Sequence, residues 1–253
     1  MVWSDKPAFL PLHDPLIKRE HLQEDFNGTS GVVWKGARML SHVFTVSEET
    51  FKAFVPPELS PTDSRMAAVF VAEYPYSSLG AYKQAGLMFY CQFENTVGWH
   101  FVCNYDGAMD KDFTMGADRS FALGRELGFP KFMANIELFR EGTQVIGTVR
   151  RQGIEIIRVW ADLQNPGEAF PEQTFIQFKS HLTSDTKAYL YREIWAAKFT
   201  YHTHMIRFGT GEVRFPKSND LIQNCVVEQP IMTFYRETDQ CMEMPKTLKV
   251  LHK

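Results

Sequence analysis

The sequence predicts a mainly β protein, a closed or nearly closed antiparallel sheet carrying a few short helices. Three observations lead there. Apolar residues recur at strand period through most of the chain after Gly31, in runs closed by Gly, Pro, Asn or Asp. Only two segments carry both helix-start and helix-stop signals. The chain has 253 residues, 44% hydrophobic and 14% aromatic, with 21 Phe, which is enough for one large ring-lined core without disulfide or metal staples.

The elements follow in order. Residues 1–30 are Pro-rich and polar (HDPL, HLQEDFNGTSG) and predict an extended arm, followed by a single domain over 31–253. GVVWKGARML and SHVFTV are strand-like. Ser47 is placed to cap a short helix whose first turn holds Glu48 and Glu49 at its positive end, and Pro56 and Pro57 stop it. RMAAVFVAEYPYSSLG is an apolar strand closed by turn residues. LMFYCQFE and GWHFVCNYD, separated by NTVG, form an aromatic hairpin. In ADRSFALGRELGFPK, Asp118 is the predicted N-cap, Phe121 to Leu127 supply the helix, and Gly128 with Pro130 ends it. TQVIGTVRRQGIEIIRVWADL is a hairpin about RRQG. TFIQFKSHL, KAYLYREIWAAKFTYHTHMIRF, GEVRFP and PIMTFYRE continue the strands, with GTG at 209–211 as a turn. No repeat occurs at a period of about 20 to 50 residues.

Composition narrows the function classes. The 27 Lys+Arg against 30 Asp+Glu give a net charge of −3 without a basic run, so no nucleic-acid partner is expected. Cys91, Cys103, Cys225 and Cys241 show no CxxC and predict buried or semi-buried free thiols in a reducing compartment. The N-terminus carries charges and prolines where a signal peptide needs an apolar core. No run of about 18 apolar residues occurs, so no membrane is expected and the expected location is cytoplasmic. His202 and His204 could supply two metal ligands from one strand face, but no third ligand stands at a recognisable spacing, so no metal site is predicted. GxSxG, P-loop and dinucleotide fingerprints are absent from the sequence.

Chemistry concentrates in Gly124-Arg125-Glu126-Leu127-Gly128-Phe129-Pro130-Lys131. The helix ends at Gly128, Pro130 fixes the backbone, and Lys131 opens a strand. In a barrel, Lys131 can point inward among rings. Burial disfavours its ammonium form, and the free amine can then attack a ketone to form a Schiff base. Taken alone, Lys131 is more often an ordinary surface lysine.

The segment GRELGFPK resembles the signature of the acetoacetate decarboxylase family, whose GRE…(F/Y)PK segment ends in the Schiff-base lysine. VSEETFKAFVPPEL resembles that family's early helix, SSLGAYKQAG the stretch bearing a catalytic glutamate, and EMPKTLKVL its closing strand. The resemblance spans roughly residues 30 to 250. It implies a cone-shaped antiparallel barrel with an interior active site, no cofactor beyond the covalent lysine adduct, and a homo-oligomer, a tetramer or larger. Lys131 falls on the Schiff-base lysine, and Arg38 on an arginine that holds the substrate carboxylate through its paired donors.

Two positions depart from the family. Its second lysine is replaced by Phe132, so a lowered Lys131 pKa rests on burial, with Arg125 as a nearby cation. Its glutamate falls on Gln84, which cannot act as a general base; Glu73 is the nearest replacement carboxylate. Arg125, Phe132, Tyr82 and Tyr235 are the candidate substrate-binding residues, the two tyrosines also as proton carriers. The expected activity is a carbon–carbon lyase forming a lysine Schiff base with a small oxo acid, foremost the decarboxylation of a 3-oxo acid. Pyruvate-dependent aldolase-dehydratase chemistry through the same adduct is the alternative. A non-catalytic barrel binding an oxo-acid or aromatic ligand is the alternative of another class.

Overall fold

Strand-period patterning becomes a sheet that closes on itself. In the computed structural model the described residues are 23–24, 30–110, 114–170, 172–182 and 189–251. The arm expected over 1–30 lies outside them apart from Gln23, Glu24 and Ser30. The first half of the chain runs β1 (Gln23–Glu24), β2 (Ser30–Thr45), α1 (Glu48–Phe54), β3 (Ser60–Pro61), β4 (Met66–Tyr74), β5 (Tyr76–Ser77), β6 (Tyr82–Phe93), β7 (Thr96–Ala108) and α2 (Met115–Glu126). It continues as β8 (Lys131–Met133), β9 (Asn135–Glu141), β10 (Gln144–Arg151), β11 (Ile154–Pro166), β12 (Gln173–Leu182), β13 (Tyr189–Arg214), β14 (Gln229–Glu243) and β15 (Lys246–Leu251).

Strands β2, β4, β6, β7, β12, β13 and β14 pair in that order, and β14 returns to β2, so the ring has no free edge there. Pairing is antiparallel except where β7 meets β12 and β8. From β13 a branch of β11, β10 and β9 folds back over the outer face of β4 and β6. Val69, Val71 and Leu87 pack outward with Ile136, Val149 and Ile157 of that branch. Ala68, Phe70 and Ala72, the alternate β4 residues, face the barrel interior with Met39 and Phe101. Both faces of β4 are therefore buried, which is why MAAVFVAEY is continuously apolar rather than alternating. Each fully buried Val, Leu, Ile or Phe among them contributes about 1.5–3 kcal/mol.

Local chemistry sets the element ends. Ser47 Oγ accepts the Thr50 N–H at 3.0 Å, and α1 stops before Pro56. Gln152 and Gly153 join β10 to β11 with φ of 50° and 81°, the paired positive angles of a two-residue hairpin turn. Two expectations are corrected. Helix α2 begins at Met115, with Thr114 at its N-cap and Asp118 inside the first turn, where the carboxylate accepts from Thr114 Oγ1 at 2.9 Å and meets the positive helix end. The 209–211 GTG segment is not a turn but lies within the 26-residue β13. Its glycines serve close backbone approach to β11: a Cβ on Gly211 would sit 2.5 Å from Trp160 O, and one on Gly209 would overlap Asp162 O.

Candidate active site

One rung of the barrel wall carries Arg236, Gln84 and Asp106. Arg236 of β14 pairs with Met39 of β2, Met39 with Ala72 of β4, Ala72 with Gln84 of β6, and Gln84 with Asp106 of β7. Register partners share a face of the sheet, here the inner one. Four strand spacings separate the ends of the rung, roughly 19 Å along the wall. In a ring of seven strands that distance places Arg236 and Asp106 on opposite sides of the interior.

Lys131 reaches this interior because β8 docks on β7, with Lys131 opposite Asn104. The Asn104 N–H donates to Pro130 O at 3.0 Å and the Ala134 N–H to Asp106 O at 2.9 Å, clamping both ends of β8. Helix α2 covers this part of the cavity through Ser120, Leu123 and Gly124. Trp195 Nε1 donates to Leu127 O at 2.8 Å, pinning the helix end, and Gly128 with φ 82° turns the chain back.

The amine is buried, its side chain 4% exposed, and Nζ donates to Asp106 Oδ1 at 2.9 Å and to Ser120 Oγ at 3.2 Å. Asp106 is fully buried; Oδ1 also accepts Gln84 Nε2 at 2.9 Å, while Oδ2 has no hydrogen-bond partner. Burial pushes the Lys131 ammonium below the ordinary lysine range, opposed by the charge and hydrogen bond of Asp106. Tyr82 is hydrogen-bonded to Ser120, and its hydroxyl accepts Trp34 Nε1 at 2.8 Å; burial raises its pKa well above the usual tyrosine value, keeping it protonated.

On the opposite wall, Arg236 is buried, with its guanidinium carbon 4.1 Å from the Tyr201 ring centroid and Nη2 donating to Met39 Sδ at 3.5 Å. Its Nε has no partner, and among the described residues it forms no ion pair with a carboxylate. Arginine stays protonated, so a buried cation without an anion faces the cavity. Between the two walls stand Trp34, Phe70, Phe101, Phe129, Phe175 and Phe199.

The acetoacetate decarboxylase (ADC) family model matches residues 22–251. The chain belongs to the acetoacetate decarboxylase family. Comparison with curated proteins found no match. The acetoacetate decarboxylase of Legionella pneumophila subsp. pneumophila str. Philadelphia 1 is 16% identical, with a TM-score of 0.77 over 88% of each chain. The enduracididine biosynthesis enzyme MppR complexed with pyruvate is 12% identical, with a TM-score of 0.72 over 87% of this chain and 90% of that one. An acetoacetate decarboxylase-like enzyme from Sphingomonas wittichii RW1 is 14% identical, with a TM-score of 0.71 over 96% of this chain and 98% of that one. At these identities the likeness is one of fold, and it matches the mainly β class expected for an acetoacetate decarboxylase-like protein.

Of the residues singled out from the sequence, the structure brings Lys131, Gln84 and Tyr82 together at the cavity. Arg38 is placed elsewhere. Its side chain is 47% exposed and lies 3.7 Å from Glu73, which also pairs with Lys83 at 3.3 Å. The cause is a bulge: Trp34 pairs with Gln240 and Ala37 with Thr238, so β2 spends one residue more than β14, and Gly36 takes φ 62°. Strict alternation from inward-facing Trp34 would turn Arg38 inward; the extra residue sends Met39 there instead. Glu73 stands on the same outward rung, partly buried and shared between Arg38 and Lys83 rather than facing the cavity.

Tyr235 also points away from the cavity, into the core beneath the β9–β11 branch, and its hydroxyl donates to Glu237 Oε1 at 3.1 Å. Burial pushes its pKa up to about 12. Arg125 and Phe132 line a shallow outer groove, Arg125 stacked on Phe121 and Phe132 beneath the Arg151 guanidinium. His204 Nε2 lies 3.2 Å from Asp239 Oδ1, and no group of three or more metal-ligating side chains was found among the described residues. All four cysteines are buried, and no helix among the described residues is long and apolar enough to cross a membrane. Asp106, Ser120 and Arg236 are the site residues that sequence reasoning missed. For Asp106 and Arg236 the signal is polarity at inward strand positions, Asn104 and Asp106 flanking Tyr105 and Arg236 two residues from Phe234, whereas Ser120 lies on α2 and carries no such strand signal.

Two outcomes follow from this packing. Gly124 lies on the path of the Lys131 chain, where an added Cβ would be 2.9 Å from Lys131 Cγ and would overlap Cε. Gly124→Ala should gain up to about 1 kcal/mol of helix propensity, yet displace the amine and slow its adduct formation by about tenfold or more. Intact-mass kinetics of borohydride-trapped protein, beside a melting curve, would show the two effects separately. Phe132→Lys should leave the apparent pKa for adduct formation unchanged, because successive strand residues face opposite sides and position 132 is 38% exposed. Titrating adduct formation in that variant at low and high salt checks it.

Proposed function

We propose that this chain is a carbon–carbon lyase that forms a Schiff base between Lys131 and the ketone of a small oxo acid whose carboxylate is held by Arg236. One observation carries the reading: a desolvated lysine and a buried arginine without a carboxylate partner line the same aromatic cavity. Guanidinium presents paired donors that match a carboxylate, and an arriving anion would satisfy a charge that the fold leaves uncompensated. The adduct is an iminium, which accepts electrons from a breaking bond or loses an α-proton to give an enamine. No cofactor is needed for either step.

The arginine also bears on the route. A carboxylate paired with a buried guanidinium is stabilised before reaction, and losing it as carbon dioxide forfeits that pairing in the transition state. An enamine route keeps the pairing throughout, so it is the better served of the two. Pyruvate-type addition and dehydration is therefore the favoured chemistry, in keeping with a relative seen with pyruvate bound. Decarboxylation of a 3-oxo acid is the second reading, favoured by the family match.

The test is incubation with 3-oxo acids, with pyruvate plus an aldehyde, and with neutral ketones, each with borohydride, followed by intact mass and product analysis. Reduced adducts on Lys131 that form more readily with oxo acids than with ketones are expected. No adduct with any member of the panel would end the reading, and carbon dioxide without an addition product would select decarboxylation.

A further inference from the structure

Lys131 Nζ meets few polar groups. From β7 come Asn104 and Asp106, from β6 Gln84 and Tyr82, from β4 Tyr74, from α2 Ser120, and across the cavity stand Arg236 and Tyr201. Asp106 is the carboxylate among them, 2.9 Å from the amine and fully buried. Its Oδ2 has no hydrogen-bond partner and so keeps acceptor capacity, and Gln84 fixes the shared Oδ1 from the neighbouring strand. Resting on the Schiff-base reading, we infer that Asp106 is a catalytic proton carrier for imine formation at Lys131, with Gln84 as its positioning residue.

The protons balance through this one carboxylate. Asp106 first takes a proton from the Lys131 ammonium, leaving a neutral amine. The nitrogen lone pair bonds to the ketone carbon while the C=O π pair moves to oxygen, and Asp106 returns its proton to that oxygen. The nitrogen of the adduct, now cationic, gives Asp106 a second proton. Asp106 passes this proton to the hydroxyl as the C–O bond breaks and water leaves, and the nitrogen lone pair closes the C=N bond. One water is released, Asp106 ends as a carboxylate, and the iminium keeps the positive charge that the ammonium brought. The ion pair is thus present at both ends of the sequence, so the buried carboxylate never faces the cavity without a counter-charge.

The test uses two variants whose effects on the pH profile have opposite signs. Asp106→Asn keeps the size of the side chain but removes the base and the charge that opposes the depression of the Lys131 pKa. The plateau rate of oxo-acid trapping, read above the midpoint, should fall by on the order of 100-fold, the scale of one positioned acid–base group, while the pH midpoint for trapping moves down. Gln84→Leu keeps the carboxylate but removes a donor that stabilises its charge, making it more basic and a stronger partner for the ammonium. Its midpoint should move up, with a loss of about tenfold. An aspartate that only pairs with the ammonium would move the midpoint in the same direction but leave the plateau rate above it unchanged, so the lost plateau rate marks the proton carrier. Unchanged plateau rates in variants that melt like the wild type would overturn the inference while leaving the Schiff base standing; no adduct in the wild type would overturn both. If Asp106→Asn does not fold, the plateau rate of Gln84→Leu decides alone: a loss of about tenfold is expected, and no loss would overturn the inference.

Discussion

Lys131→Ala is expected to abolish the borohydride-trapped adduct and to cut turnover by on the order of 10⁴-fold or more, the scale of removing a covalent nucleophile. The lysine sits where a neutral amine is favoured by burial and resisted only by Asp106. In the wild type, trapping should therefore rise with pH through a midpoint below the ordinary lysine value. The direction follows from desolvation: the buried ammonium is penalised, so the proton leaves earlier than it would in water. Because the largest cause is burial rather than a neighbouring cation, the midpoint should change little between low and high salt. A rate-against-pH series at two ionic strengths measures both properties. A midpoint at or above the ordinary value would mean that the Asp106 pairing outweighs burial. A strongly salt-dependent midpoint would assign the shift to a charge. Turnover surviving in Lys131→Ala would remove the lysine from the chemistry altogether.

How much of this site could be read in the sequence follows from how strands assemble. The helix-breaking Gly128 and Pro130 and the strand that Lys131 opens are local features, written in eight consecutive residues, and so is the Ser47 cap. The class of fold is local too, since alternation and turn residues repeat along the chain. Pairing is not local. Arg236, Gln84 and Asp106 face one interior because five strands align one rung, and no single segment records which rung faces which. A shift of one residue exchanges the two faces of a strand. Arg38 and Met39 show the consequence: a single extra residue at Gly36 decides which of them enters the cavity. The GTG segment fails for a related reason. Glycine marks close approach as well as turns, and only the β11 carbonyls opposite Gly209 and Gly211 tell them apart.

Arg236→Met should have two effects of opposite sign, and their combination is what a carboxylate site built on a buried cation requires. In the ligand-free protein the guanidinium is taken out of water without an anion, held by the Tyr201 ring and the Met39 sulfur. A buried charge without a counter-ion carries a desolvation penalty that a well-packed apolar side chain does not, so the melting temperature of the variant should rise. Binding of an oxo acid should weaken at the same time. A hydrogen bond to a charged group contributes about 1.5–3 kcal/mol, which corresponds to a rise in KM of roughly 10- to 150-fold. A neutral ketone of the same length has no carboxylate to lose, so its KM should stay level or fall as the cavity becomes more apolar. Arg236→Lys keeps the charge but not the fork, and should fall between the wild type and Arg236→Met for the oxo acid. Steady-state kinetics on the acid and ketone pair, beside thermal melts of the three proteins, make the measurement. Equal losses on acid and ketone would show that Arg236 shapes the cavity without binding a carboxylate. A lowered melting temperature would show that the guanidinium already has a partner that offsets its burial.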